Sequence, residues 1–136
     1  MLRDPSPSPA SQARTSVAIS FGSPASESGV TRLDLNDLLI RHPQAAFLMR
    51  IAGDSMREAG VEEGDLALID RAIDATHGRV VIAVVDDEFV CRRLVQRGSD
   101  VRLQATDPAC PDWVAGEGRE LQIWGVVTHV IRPLSP

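Results

Sequence analysis

From residue 31 onward, short apolar runs alternate with clusters of turn-forming residues. Asp34-Leu35-Asn36-Asp37-Leu38-Leu39-Ile40 has helical spacing and predicts a short helix over 34–42, with Asp34 as N-cap and Pro43 as stop. Residues 47–51 predict a strand, and 55–59 a helical turn closed by Gly60. A second strand over 66–69 is entered through Glu63-Gly64-Asp65. Residues 79–85 are rich in β-branched side chains and predict a buried strand. Asp86-Asp87 then turns the chain into a hairpin partner over 88–95. Residues 101–105 add another strand, and 121–132 a long final one broken at Gly125. The Pro-, Gly- and Asp-rich stretch 107–120 reads as a loop.

Residues 1–30 do not share this pattern. Pro5, Pro7, Pro9 and Pro24 stand among many Ser and Ala residues, a composition with too little to bury for a domain of its own. Val17-Ala18-Ile19 is the one apolar island. The segment is too short and proline-rich for a helix-turn-helix. No long crossover helix of the kind a parallel sheet needs is visible. The expectation is a mainly β protein: a compact, curved antiparallel body over 31–136 with one or two short helices, preceded by an extended N-terminal arm over 1–30.

Composition narrows the functional classes. The chain has 136 residues, 43% of them hydrophobic, and a net charge of −5. That balance argues against a nucleic-acid binder working through a basic surface, so no direct sequence-specific nucleic-acid binding is expected. Cys91 and Cys110 have no C-x-x-C spacing, which leaves no metal or redox motif, and reduced thiols are expected. No metal and no cofactor is called for. The start of the chain lacks the apolar core of a secretory signal, and the longest apolar run, 80–85, is far too short to span a membrane. A cytoplasmic protein without a membrane partner is expected. All fourteen cationic residues are arginine. Lysine is therefore absent from any mechanism the chain can use.

The candidate chemistry sits at Gly53-Asp54-Ser55-Met56 and the Gly64-Asp65 turn that follows. A strand ending at glycine and followed at once by serine puts a hydroxyl on an exposed chain reversal. Ser55 is the candidate nucleophile, with Gly53, Asp54 and Met56 forming the turn whose backbone N–H groups could hold an oxyanion. Gly, Asp and Ser all favour turns, and a plain turn is the competing reading of the tetrad alone.

The wider series of motifs resembles the UmuD-type accessory subunits of the error-prone SOS polymerase, within the LexA-like Ser–Lys self-cleaving (S24) peptidases. The pieces stand in family order: Asp34-Leu35-Asn36, His42-Pro43, Gly53-Asp54-Ser55-Met56, Gly64-Asp65, Ile69-Asp70, Thr76-His77-Gly78, Glu88-Phe89 and Gly125-Val126-Val127 with His129-Val130. The resemblance covers about three quarters of the chain. It implies a LexA- or signal-peptidase-like β body. It implies a homodimer that docks on a Y-family, UmuC-like DNA polymerase and on the RecA–single-stranded DNA filament. The short arm, in place of a DNA-binding domain, matches UmuD rather than LexA and the phage repressors. A membrane-anchored signal peptidase shares the Ser–Lys chemistry but is disfavoured by the lack of an anchor.

Two positions depart from the family. Ser55 matches its nucleophile, but the general-base lysine, three residues after Glu-Phe, is here Arg92. A lysine can act as base because burial disfavours its charged form; a guanidinium stays protonated at physiological pH and cannot. His77 and His129 match structural positions. Residue 92 shares its side of the strand with Val90 and Leu94, so partial burial is expected, with a hydrogen bond to Ser55 or to a carboxylate such as Asp70. The family's scissile bond, between a small residue and Gly, aligns with Ile19-Ser20, altered on both sides. Ala59-Gly60 and Ala115-Gly116 have the right letters but read as turns. Trp113 and Trp124 read as packing residues, Trp113 with a possible role in partner contact if exposed. The resemblance thus implies a subunit of translesion synthesis with self-cleavage lost or strongly impaired. The alternative is an active, RecA-stimulated serine autopeptidase that removes its own arm.

Overall fold

A computed structural model of the chain describes residues 31–116 and 118–135. The chain divides into two compact units, 1–44 and 45–136, considered separately below. The expected arm, including Ile19-Ser20 and the Val17–Ile19 island, lies outside the described residues.

The described part of the first unit contains one helix, α1 (Leu35–Leu39). Asp34 has an extended backbone and its side chain accepts from the N–H of Asn36 at 2.9 Å, so the N-cap is as expected. The helix ends earlier than the pattern suggested. Ile40 is already extended, and Pro43 opens a separate 3-10 turn instead of closing the helix. No residue of α1 is buried, and Leu35 and Leu38 are exposed.

The second unit is an antiparallel sheet of seven strands: β1 (Ala46–Arg50), β2 (Leu66–Asp70), β3 (Val80–Val85), β4 (Glu88–Arg97), β5 (Asp100–Gln104), β6 (Trp113–Val114) and β7 (Ile123–Ile131). Their order is β1-β2-β7-β3-β4-β5-β6, with every neighbouring pair antiparallel. The mainly β, antiparallel expectation is met. The sheet is open and curved, and two bulges show where it bends. Opposite β2, the register slips between Leu68 and Ile69, leaving Thr128 as the extra residue of β7. Opposite β3 it slips between Ile82 and Ala83, leaving Trp124 as the extra residue. Gly125 stands beside that second slip, so the break foreseen there is a bulge within one continuous strand.

Both faces of the central strands are buried. Ile82 of β3 belongs to a cluster with Ile51, Met56, Val61, Ala67 and Ile69. Its neighbours Val81 and Ala83 point the other way, into a cluster with Leu94, Leu103 and Val126. The first cluster supports the Ser55 loop, because Met56, at 2% exposure, is one of its members. β3 turns into β4 through Asp86 and Asp87, both at positive φ (51° and 64°), the mirror-image turn that matches strand twist. That hairpin pairs Val81 with Arg92. The 107–120 stretch is not wholly a loop. It contributes β6, paired to β5 through Leu103 and Trp113, and Trp113 is half-buried under the guanidinium of Arg119.

Candidate functional site

The loop joining β1 to β2, residues 51–65, carries Ser55. Its two ends are stitched together by Ile51 N–H to Asp65 O and Gly64 N–H to Ile51 O, both 2.8 Å. Gly53 and Gly64 take φ of 81° and 88°, a backbone that L side chains rarely adopt, so these two glycines set the reversals. Inside the loop, Glu63 Oε1 accepts from Gly53 N–H at 3.1 Å and Asp54 Oδ1 accepts from Glu63 N–H at 3.2 Å. Asp54 also accepts from Arg57 N–H through its carbonyl and pairs with the Arg57 guanidinium at 3.3 Å. Gly60, left-handed, caps the 3-10 turn Arg57–Ala59. Ala59-Gly60 is a turn, as expected, and Ala115-Gly116 runs into a bridge from Gly116 to Arg119.

The backbone of Ser55 is fixed from a distant part of the chain. Its carbonyl accepts from Thr106 N–H (2.9 Å), Asp107 N–H (3.1 Å) and the Thr106 hydroxyl (3.1 Å). The β5–β6 connection thus clamps the serine in place. Nothing in the local sequence signals this role for Thr106.

The side chain of Ser55 meets Arg92. Nη1 of Arg92 donates to Ser55 Oγ at 2.8 Å and to Cys91 O at 2.7 Å, and Nη2 donates to Cys110 Sγ at 3.3 Å. Of the two partners expected for Arg92, the guanidinium takes Ser55. Asp70 accepts instead from Ala72 N–H at 2.7 Å. Arg92 is half-buried, as its place beside Val90 and Leu94 suggested. The contact with Cys110 was not anticipated. His77 accepts from Gln96 N–H and His129 shares a hydrogen bond with Thr128, so each ring has a partner away from Ser55.

Ser55, Arg92, Gly53 and Met56 all line one open cleft of about 320 Å³. Its walls are residues 49–53 on one side and 89–92 on the other, with Ile82 beneath. Asp54 points away, toward Arg57. The N–H of Gly53, one of the groups expected to face an oxyanion, is engaged by Glu63. Chemically, Ser55 Oγ receives a hydrogen bond from a cation. A serine nucleophile needs a group that accepts its proton, and a guanidinium only donates. Burial pushes the neighbouring Cys91 thiol up to about 11, against a smaller opposing pull from the Arg92 charge. Among the described residues there is no group of three or more His, Cys, Asp and Glu able to hold a metal ion.

The chain belongs to the Peptidase S24-like family, whose profile matches residues 12–128. The resemblance drawn from the ordered motifs around Gly53–Met56 is thereby borne out. Protein SamA of Salmonella typhimurium is 43% identical over 111 residues, 82% of this chain and 76% of SamA. Protein ImpA of Escherichia coli is 41% identical over 111 residues, 82% of this chain and 75% of ImpA. Protein MucA of Escherichia coli is 31% identical over 113 residues, covering 83% and 77%. No helix among the described residues is long and apolar enough to cross a membrane.

Proposed function

We propose that this protein is a UmuD-like accessory subunit of an error-prone translesion DNA polymerase in the SOS DNA-damage response, with a serine-peptidase-type site that no longer cuts its own arm. The accessory role is supported by the S24 family match and by identity to ImpA, SamA and MucA along most of the chain. The loss of cleavage is supported by one observation: Arg92, to which the resemblance gives the position of the family's base, donates to Ser55 Oγ at 2.8 Å. The serine keeps its proton because the charged group bonded to its Oγ, the Arg92 guanidinium, is itself a donor. Residues 1–30 act as the arm and 31–136 as the body of a cytoplasmic homodimer, which docks on a Y-family polymerase and on the RecA–single-stranded DNA filament.

The test is the intact mass of purified protein at pH 7 and pH 10, with and without RecA filament, beside an Arg92→Lys variant. The parent is expected to stay full length. Loss of the arm from the variant alone assigns the block to Arg92. If neither is cut, the Ile19-Ser20 bond has become a poor substrate as well. A parent that sheds its arm near Ser20 overturns the reading in favour of an active autopeptidase. The intact Gly53-Asp54-Ser55-Met56 turn at an open cleft is what favours that second reading.

A further inference from the structure

The cleft around Ser55 is lined by Arg50 and Arg92 and, among the described residues, by no Asp or Glu, in a chain whose net charge is −5. Arg50 donates to the Gly64 carbonyl at 3.0 Å. Arg92 is held by three neutral acceptors: a hydroxyl, a carbonyl and a thiol. A guanidinium carries five N–H donors. Those three bonds use both donors of Nη1 and one of Nη2. Nε–H and one Nη2–H have no acceptor among the described residues, and Nε with Nη2 is one of the two nitrogen pairs through which a guanidinium takes a carboxylate. A partly desolvated cation with no carboxylate bonded to it among the described residues favours an anionic ligand.

The rest of the cleft says what should bear that anion. Met49, Met56, Ile82, Phe89 and Val90 give it an apolar wall. Among the described residues β1 is the edge of the sheet, and residues 88–92 of β4 pair only with β3, because β5 pairs with residues 93–97. Open strand edges therefore border the cleft, and an extended segment can add to one of them. We infer that the cleft binds the C-terminal carboxylate of an extended peptide, with the fork of Arg92 on the carboxylate and the last side chain on the apolar wall. A chain terminus suits both halves of the site at once, since its carboxylate sits on the main chain and its side chain stays free. An Asp or Glu would spend its side chain on the guanidinium and leave the apolar wall unfilled. The inference deepens the proposed function and rests on it: a site that does not cut is kept as one that holds.

The probe is a labelled pentapeptide of sequence Thr15–Ile19, titrated into the full chain at pH 7 and followed by fluorescence anisotropy. It is made as the free acid, as the C-terminal amide, and as an amide ending in Asp. The free acid is expected to bind at least about tenfold tighter than the amide, the scale of a charge-assisted pair. Arg92→Gln should erase that preference, and Arg92→Lys, which keeps charge without the fork, should retain part of it. Equal binding of acid and amide by the parent overturns the inference without recourse to any variant. So does a preference that survives Arg92→Gln in protein that melts as the parent does. An Asp-terminated amide that matches the free acid overturns the choice of a chain terminus. The intact mass of the same samples separates the two readings. A trimmed parent sinks the non-cutting site, whereas a full-length parent with no preference sinks only the carboxylate site.

Discussion

Arg132 grips the carboxylate of Asp65 with two hydrogen bonds, Nε to Oδ1 at 2.6 Å and Nη2 to Oδ2 at 2.7 Å. Asp65 is 1% exposed and also accepts from Glu62 N–H at 2.8 Å. The guanidinium reaches Gly60 O and Glu62 as well. The residue just past β7 thus ties down the far end of the loop that carries Ser55, where Ile51 and Asp65 close the stem.

This pair predicts acid sensitivity. The hydrogen bonds from Arg132 hold the Asp65 carboxyl below its ordinary value of 3.8, outweighing the opposite push of burial. A group with a lowered folded pKa contributes stability that is complete above the ordinary carboxylate range and is lost as pH falls through the folded value. Asp65→Asn should cost about 2 kcal/mol near neutrality, the worth of hydrogen bonds to a charged group. Urea denaturation from pH 7 down to pH 3 checks this. The gap between parent and variant should narrow only below about pH 4, and a gap independent of pH would refute the assignment.

Gly125 is required by contact rather than by backbone angle. A Cβ built there would lie 2.5 Å from Cγ2 of Ile69 and 3.2 Å from Cγ of Arg71. Ile69 is fully buried and has no room to retreat. Gly125→Ala should therefore destabilise by about 1–3 kcal/mol, the usual range for overpacking. Because Gly125 pairs with Ile82 beneath the cleft, the same variant should also shift the amide resonances of residues 55 and 92. A variant as stable as the parent would mean that β2 and β7 are not so closely apposed.

The hairpin that presents Arg92 offers the opposite sign. Asp86 and Asp87 both occupy the left-handed region, where Asn-Gly is the preferred pair. Replacing them together with Asn and Gly should stabilise by roughly 0.5–1 kcal/mol, a rise of a few degrees in melting temperature. No change, or a loss, would indicate that the aspartates hold contacts of their own.

How far the sequence disclosed this arrangement depends on the range of the forces involved. Asp34 capping α1, the Asp86-Asp87 reversal and the irregularity at Gly125 are local effects of single residues, and all were legible. The encounter of Arg92 with Ser55 was legible only as one of two options, the other a carboxylate such as Asp70, and only because the resemblance relates two positions 37 residues apart. β6 escaped notice because a two-residue strand in a Pro- and Gly-rich segment has no period to detect. The early end of α1 reflects the same limit: apolar spacing continued through Ile40 while the backbone had already extended. The clamp of Thr106 and Asp107 on Ser55 O, the Cys110 thiol under Arg92, and Glu63 on the Gly53 N–H are contacts of polar loop residues. Their composition marks them as loop and nothing more.

Cys91 should make the fold sensitive to alkali and report on Arg92. Burial raises its thiol from 9.0 to about 11, and the adjacent Arg92 charge moderates the rise. A raised folded pKa contributes stability that is complete below the ordinary thiol value and is lost as pH climbs through the folded one. The protein should therefore weaken between about pH 9 and pH 11, as the thiolate forms more readily in the unfolded chain. The thiolate is the reactive form, so a shift of this size should slow alkylation of native Cys91 at pH 8 by about a hundredfold relative to the unfolded chain. In a Cys110→Ala background, the rate of iodoacetamide labelling should rise toward pH 11 rather than level off near 9. Removing the neighbouring cation with Arg92→Gln should push the profile further to alkaline pH. A profile that moves the other way, or does not move, would place the Arg92 charge too far from Cys91 to act on it and would count against the geometry that brings the same guanidinium to Ser55.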